Sequence, residues 1–335
     1  MSATAHHMRA LVFDAPAPDT SESHIREVPL PSPGPGQVAI DVSHAGVNFK
    51  DVMARRGDPG YVPDWPFVPG LEVAGTVRAL GDGVTGVAVG DRVAAYTGEG
   101  GLADVALASA ELTVPRPDGL DPRLAAVACG SYVTAGLLVG AMGRLRTGDT
   151  VLVHSAAGGV GQAVAAVARL AGARLVLGTV GSDSRRRSAE GAGYDQVFLR
   201  GPDLARQVLA ATAGQGVDLV LDPQGTAQLE VDLRVTAPAG KVVIFGNAGG
   251  AMFEALPPVT RLLAGNASIT GFSLAALTVT RPRLVAEALS TAIGHLAAGD
   301  LRLNPATVDG LAGAPAAQQA LAEGRGRGKQ VVALA

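Results

Sequence analysis

The chain has 335 residues, 47% of them hydrophobic and only 17% charged, with a formal net charge of −3. That length and apolar content allow two domains with cores of their own and argue against disorder, and the lack of a basic surplus argues against a nucleic-acid binder. A lone cysteine, Cys129, excludes an internal disulfide and a multi-thiolate metal site, and fits a reducing, cytoplasmic setting.

No signal peptide is visible, and the His6-His7 pair ahead of Met8 reads as part of a tag or disordered leader over residues 1–7. Residues 8–13, 37–45 and 75–80 are β-rich runs, with Pro-Gly clusters at 31–36 and 69–70 between them, which predicts a small, largely β domain. Residues 124–143 and 151–168 lack charge over nearly a membrane-spanning length. Glycine, serine and threonine interrupt both, so they are expected to be buried core rather than membrane spans.

The rhythm changes near residue 125. Strands are predicted at 150–154, 174–179, 196–199, 217–222 and 240–246, and helices at 160–170, 184–191, 203–211 and 229–235. Alternating strands and helices imply a parallel sheet covered on both faces, and right-handed crossovers give the doubly wound, Rossmann-type α/β fold. A helix at 282–296 and a strand at 330–334 close the chain.

The strongest local signal is the run VLVHSAAGGVG at 151–161. An apolar strand enters a turn of small residues and an Ala-rich helix leaves it, with Ala156 in a first glycine slot and Gly158 and Gly161 in the next two. Small residues let the backbone approach a pyrophosphate, and the helix N-terminus supplies free N–H groups and partial positive charge. Ala157, Gly158, Gly159, Val160 and Gly161 are therefore the expected phosphate cradle. The next strand ends in GTVGS at 178–182, with no carboxylate until Asp183 and with Arg185, Arg186 and Arg187 following. An NAD enzyme usually places an acid there for the ribose hydroxyls. Thr179, Ser182 and Arg185 suit a 2′-phosphate instead, so NADPH is the expected cofactor, with Arg187 on a solvated face.

Several short runs in this order resemble the medium-chain dehydrogenase/reductase superfamily, in its zinc-free quinone oxidoreductase (zeta-crystallin-like) and enoyl reductase branch. They are AGVNFKD at 45–51, PGLEVAGTV at 69–77, GDRV at 90–93, Thr134-Ala135, HSAAGGVG at 154–161, LDP at 221–223 and GKQVV at 328–332. The resemblance implies an α/β protein with a GroES-like, largely β catalytic domain over 8–129 and 274–335 and a Rossmann NADPH-binding domain over 130–273. It also implies no metal. Asn48 stands where the zinc-dependent branch has a Cys, and Gly70-Leu71-Glu72 where that branch has Gly-His-Glu; Cys129 cannot hold a tetrahedral site alone. The structural zinc lobe is also missing. Cys129 either lines the substrate cleft or packs as a small buried residue. Further implied cofactor contacts are Thr134 at the nicotinamide amide, Phe245, Gly246 and Asn247 beside the nicotinamide ribose or ring, Phe272 and Ser273 capping the pocket, and Arg325 and Lys329 from the C-terminal segment. The QGT run at 224–226 departs from the family's Val-Gly-Gly.

Such a fold carries hydride to an electron-poor carbon, of a quinone or of the activated C=C of an enone, and the oxygen that gains charge needs a donor. Asn48 is the first candidate to face the substrate, since its amide donates without titrating, unless it merely satisfies a turn. Tyr61, in the loop GDPGY at 57–61, is a candidate proton donor, and Asp51 either acts in catalysis or holds the loop. Lys50 is expected to pair with Asp51, Glu72 to brace the site wall, and His154 to be an anchored structural residue rather than a base.

Two other readings stay open. One is a discrete enoyl reductase on thioester substrates of polyketide or fatty-acid synthesis, to which the NFKD run at 48–51 is similar and which would need an acyl-carrier protein as partner. The other is a non-catalytic NADPH-binding sensor, or a protein recruited to a non-redox biosynthetic step. The resemblance further implies a homodimer formed by strand pairing at a sheet edge near residues 242–245 and 267–271, with pocket shape set by loops near Tyr61, 98–102 and 253–260.

Overall fold

The computed structural model describes residues 7–61, 64–249, 256–326 and 328–334. It divides into two units, one built from residues 1–130 and 277–335 and the other from residues 131–276. In chain order the first unit contributes β1 (His7–Phe13), β2 (Ser23–Pro29), β3 (Gln37–Val47), α1 (Phe49–Arg56), β4 (Glu72–Leu80), β5 (Arg92–Tyr96), β6 (Val105–Ser109), β7 (Thr113–Pro115) and α2 (Pro122–Ala126). The second holds α3 (Thr134–Leu137), β8 (Thr150–Val153), α4 (Gly159–Leu170), β9 (Leu175–Val180), α5 (Arg186–Glu190), β10 (Gln196–Leu199), α6 (Leu204–Ala211), β11 (Val217–Asp222), α7 (Leu229–Val235), β12 (Thr236–Ile244), α8 (Val259–Gly265) and β13 (Ser268–Gly271). After α9 (Leu274–Thr280), the first unit resumes with α10 (Pro282–Ala298), β14 (Ala306–Asp309), α11 (Gly310–Ala322) and β15 (Gln330–Ala333).

In the first unit a seven-stranded sheet runs β14-β15-β3-β4-β5-β7, with β6 also paired to β3, beside a two-stranded β1–β2 ribbon. Strand alternation turns Val38, Ile40 and Val42 of β3 and Val73 and Val77 of β4 inward, against Leu11 and Phe13 of β1 and Leu311 and Ala314 of α11. The last strand, β15, pairs antiparallel with the end of β3, Gln330 opposite Val47. This brings the C-terminal segment beside the start of α1.

The second unit is the doubly wound sheet expected from the sequence. Its six strands are all parallel, in the order β10-β9-β8-β11-β12-β13. Leu152, Leu177, Val220 and Val242 form one cross-strand row on one face, fully buried with α6 and α7 residues such as Val208 and Leu229, and Val151, Leu219 and Val243 on the opposite face are buried too. The order reverses between β8 and β11, and in open α/β sheets the crevice beyond the strand C-termini at such a switch point is where ligands bind. β12 starts at Thr236, four residues before the run expected at 240–246, because the Thr236 hydroxyl bonds the Asp232 carbonyl at 2.7 Å and turns α7 directly into the strand. The segment before α5 is a 3₁₀ turn, with Arg185 N–H donating to the Ser182 carbonyl at 3.1 Å, so the helix expected from 184 begins at Arg186.

Of the two segments expected at a dimer edge, β12 lies inside the sheet between β11 and β13, so residues 242–244 have no free edge; β13 has β12 as its strand neighbour and ends the sheet. No helix among the described residues is long and apolar enough to cross a membrane.

Candidate functional site

In the second unit the turn after β8 is shaped by sterics. Ser155 takes φ +56°, Gly158 caps α4, and the Gly158 N–H donates to the Ser155 carbonyl at 2.9 Å. A Cβ on Gly161 would lie 2.5 Å from the Ser155 oxygen and 2.8 Å from the Ala156 Cα, so only glycine lets α4 start this close to the strand. Ala156 and Ala157 are buried, and Gly158, Gly159 and Val160 are partly open to solvent at the helix mouth. The Tyr194 hydroxyl supports the cradle from beneath, donating to the Gly161 carbonyl at 2.5 Å. The arrangement can hold a phosphate anion.

At the end of β9, Ser182 is exposed, its hydroxyl bonded to that of Ser184 at 2.9 Å, and Arg185 is partly buried, its guanidinium pKa lowered by burial. Sequence reasoning missed Arg200. Parallel pairing sets Leu199 of β10 beside Val180, which carries Arg200 to Gly181. A side chain at Gly181 would start 2.6 Å from the Arg200 Nη2. Arg200 Nη1 is buried with no protein partner. Burial lowers the Arg200 pKa, Asp222 raises it, and Arg185 lowers it again. Two guanidiniums at this corner, with no carboxylate on the strand end, suit a phosphate better than a ribose diol.

Behind the loop lies a buried polar cluster. His154 Nδ1 is 2.8 Å from the Thr179 hydroxyl and Nε2 is 2.7 Å from Asp232 Oδ1, so both ring nitrogens are engaged. Asp222 and Asp232 each keep one carboxylate oxygen without a partner, and with His154 they form a fully buried group whose ligand atoms lie within 4.8 Å of one another. Burial, then the neighbouring Asp232, pushes Asp222 up to about 7 against the opposing pull of His154. Burial works against protonation of His154, but Asp232 outweighs it and the net shift is upward. Asp222 Oδ1 accepts from Gln224 N–H at 2.6 Å, and the Gln224 amide donates to the Ser155 hydroxyl at 2.8 Å, so the departing QGT run ties this cluster to the glycine turn. Thr179, expected at the cofactor, is fully buried with its hydroxyl on His154.

Thr134 is buried at the start of α3. The Phe245 N–H donates to the Asp222 carbonyl at 2.9 Å, Gly246 packs against Pro223, where a Cβ would sit 3.0 Å from the carbonyl, and Asn247 follows, partly exposed. The Phe272 N–H donates to the Ile244 carbonyl at 2.9 Å, and the Ser273 hydroxyl accepts from Ala276 N–H at 3.2 Å where α9 begins. Of the loop expected at 253–260, residues 253–255 lie outside the described residues.

In the first unit the predicted residues converge on Glu72, which is 1% exposed. Its Oε1 accepts from Asn48 Nδ2 at 2.9 Å and from Lys329 Nζ at 2.6 Å, and its Oε2 accepts from Gly130 N–H at 2.5 Å. Asn48 Nδ2 also donates to the Gly46 carbonyl at 3.2 Å, and Asn48 Oδ1 accepts from Lys329 Nζ at 2.5 Å. Both amide protons of Asn48 are thus used internally. Lys329, expected at the cofactor, has its ammonium taken up here, completed by the Val47 carbonyl at 3.0 Å. Arg325 is ion-paired with Glu323.

Asp51 is buried and holds two backbone N–H groups, those of Asn48 at 2.9 Å and Gly70 at 3.2 Å. Burial pushes it up to about 6, and these two bonds act in the opposite sense. Lys50 donates to the Gly98 carbonyl at 2.7 Å, so its ammonium goes to that loop. Tyr61 is half-buried, its phenol pKa raised by burial and then by Asp58. Cys129 is buried, and burial followed by Glu72 holds its thiol well above the usual range.

A family model described as an alcohol dehydrogenase GroES-like domain matches residues 34–118, and one described as a zinc-binding dehydrogenase matches residues 159–291. A mycocerosic acid synthase-like polyketide synthase of Mycobacterium tuberculosis is 33% identical over 305 residues, 90% of this chain and 14% of that protein, so the chain spans about one seventh of such relatives. The solved structure of mycobacterial Rv1454c complexed with NADPH superimposes with a TM-score of 0.89 at 30% identity, covering 97% of this chain and 99% of that one. A quinone oxidoreductase of Pseudomonas syringae pv. Tomato DC3000 gives a TM-score of 0.88 at 27% identity, covering 97% and 99%. A GroES-like β sheet and a doubly wound parallel sheet in one chain, matched over nearly the full length of these structures, place it in a family: the chain belongs to the medium-chain dehydrogenase/reductase superfamily.

Proposed function

We propose that the chain is an NADPH-dependent reductase that works without zinc, delivering hydride to a quinone or to the activated C=C of an enone. The observation that carries this is the corner after β9, where Ser182, Arg185 and Arg200 stand in place of a carboxylate, next to a glycine turn that opens α4. The structural likeness to an NADPH complex at 30% identity supports the same cofactor.

When bound, NADPH supplies the hydride. The chain's own residues orient and screen it. The N–H groups of Gly159 and Val160 and the dipole of α4 would hold the pyrophosphate, with the Gly158 N–H already on the Ser155 carbonyl, and Ser182, Arg185 and Arg200 the 2′-phosphate. Asn48 has no amide proton left for a substrate oxygen, which leaves Tyr61, whose phenol is half-buried in the first unit, as the proton donor we favour. Zinc does not fit the residues here. Asn48 and Leu71 are not its ligands, and the Glu72 carboxylate already binds an ammonium at 2.6 Å.

A second reading, an enoyl thioester substrate presented by an acyl-carrier protein, is favoured by the 33% identity to one stretch of a polyketide synthase. NADPH oxidation by the purified chain, with a para-quinone, a cyclic enone and a crotonyl thioester side by side, tests both. Turnover that prefers NADPH to NADH and survives a zinc chelator is expected, and the best acceptor selects the substrate class. NADPH binding without turnover on any acceptor would sink the reductase reading in favour of a sensor or a recruited non-redox protein.

A further inference from the structure

Three oxygen atoms of different chemistry converge on the Lys329 ammonium: the Glu72 carboxylate at 2.6 Å, the Asn48 amide oxygen at 2.5 Å and the Val47 carbonyl at 3.0 Å. An ammonium has three protons, and all three are used. Lys329 is 5% exposed and Glu72 1%, so water takes little part. Carboxylate, amide and carbonyl oxygens gathered around one buried point are the donor set of a hard cation.

Two glycines make room for the oxygen-bearing side chains. A Cβ on Gly46 would sit 2.2 Å from Glu72 Oε1, and one on Gly130 would sit 2.5 Å from Asn48 Oδ1 and 2.6 Å from Glu72 Oε1. The cation reaches this point on a covalent tether, because β15 pairs with β3 and Lys329 immediately precedes Gln330 opposite Val47.

We infer that Lys329 is a built-in cation: its ammonium fills an oxygen-lined site in the GroES-like unit, holds Asn48 and Glu72 in place, and keeps divalent metal out. Ligand identity alone already argues against zinc. The structure adds an occupant, which makes the exclusion electrostatic and removable by one substitution. A metal entering beside the ammonium would meet a like charge and a carboxylate already neutralised. With the ammonium gone, Glu72 would be a buried carboxylate without its counter-ion, beside Asn48 Oδ1 and the Val47 carbonyl.

The test is Co(II) binding to the full chain, by equilibrium dialysis and visible absorption, with wild type, Glu72→Gln, Lys329→Ala and Lys329→Ala/Glu72→Gln compared. The double variant sets the background from the other histidines and carboxylates. Lys329→Ala is expected to gain a site for Co(II) at least about tenfold tighter than any in wild type, a gain that ammonium chloride competes away and that the double variant lacks. Equal Co(II) binding by wild type and Lys329→Ala would overturn the inference, as would wild-type binding that Glu72→Gln abolishes.

If Lys329→Ala does not fold, a thermal-melt cycle of Lys329→Met, Glu72→Gln and their double replaces it. Each single change is expected to lower the melting temperature by roughly 10 °C, since each leaves one buried partner behind, and the double by clearly less than the sum. Additive losses would show that the two groups do not act as cation and ligand.

Discussion

Replacing Asp222 by Asn should make the protein progressively more stable than wild type as pH rises. Asp222 sits at the end of β11 with one oxygen on Gln224 N–H at 2.6 Å and the other without a partner, close to Asp232, which also has an unpartnered oxygen. Burial first, and Asp232 second, push its folded-state pKa up to about 7, from an ordinary value of 3.8. The folded chain therefore binds a proton that the unfolded chain releases between those values, and stability falls as pH climbs toward 7. The substituted amide is neutral throughout. Its Oδ1 keeps the Gln224 bond, and its Nδ2 offers a proton toward the bare Asp232 oxygen. His154 is raised too, by Asp232 and to a lesser degree by Asp222, and loses its contribution as pH rises; the variant keeps the Asp232 part and drops the smaller Asp222 part, so this difference has the same sign. Over the roughly two pH units between 5 and 7, at about 1.4 kcal/mol each, the variant should gain roughly 2–3 kcal/mol on wild type, or about 5–10 °C in melting temperature. Calorimetry of both proteins at pH 5, 6, 7 and 8 reads this directly. A constant difference, or a variant that loses ground as pH rises, would refute the assignment of an extra proton to this pair.

Arg200→Ala should weaken NADPH binding by about 10–100-fold and change NADH binding less than about twofold, as a charge-assisted contact to the 2′-phosphate is worth about 1.5–3 kcal/mol; fluorescence titration with both nucleotides checks it, and equal losses would place Arg200 elsewhere. Gly161→Ala forces a Cβ to 2.5 Å from the Ser155 oxygen and should cost about 1–3 kcal/mol, with dinucleotide affinity falling alongside the melting temperature. Gly46→Ala drives a Cβ to 2.2 Å from Glu72 Oε1 and should destabilise the first unit by a similar amount while leaving hydrogen exchange of the β8–β11 core unchanged. Tyr194→Phe, which removes the hydroxyl that the Gly161 carbonyl accepts in addition to its helical bond, should cost about 1 kcal/mol in chemical denaturation.

The second unit was legible because β8 to β11 are short apolar runs closely followed by Gly, Ser or Asp and then a helix-forming stretch; Gln196–Leu199, Val217–Asp222 and Leu229–Val235 came out with the bounds the structure has, whereas β12 begins with the TAPAGK run, which shows no such signal. The first unit was harder. β2 reads SHIREVP and is largely exposed, so it has no apolar alternation to betray it, and β5 to β7 are three to five residues long. Motifs named the residues of the Glu72 cluster but not their convergence, because Lys329 meets Asn48 across 281 positions of chain. Arg200 was within reach of reasoning from strand order. A residue just past β10 must lie beside the end of β9 once the two are neighbours, but nothing in the run around Arg200 itself says which strand that neighbour is. Asp232, in the middle of α7, carries no local signal at all; only the fold shows that it faces His154.

The interrupted first unit has a consequence for synthesis on the ribosome. Residues 131–276 leave the exit tunnel as a complete sheet and can fold while translation continues, whereas the other unit waits for its last strands. At about 5–20 residues per second, the stretch after residue 276 lags by several seconds. Throughout that delay the Glu72 carboxylate has no ammonium to meet, and β3 shows the nascent chain's surroundings an unpaired edge that β15 will later cover. A ribosome stalled after residue 276 has cleared the tunnel but before β15 has would thus hold one finished half and one half unable to close, the state in which a chaperone has most to do.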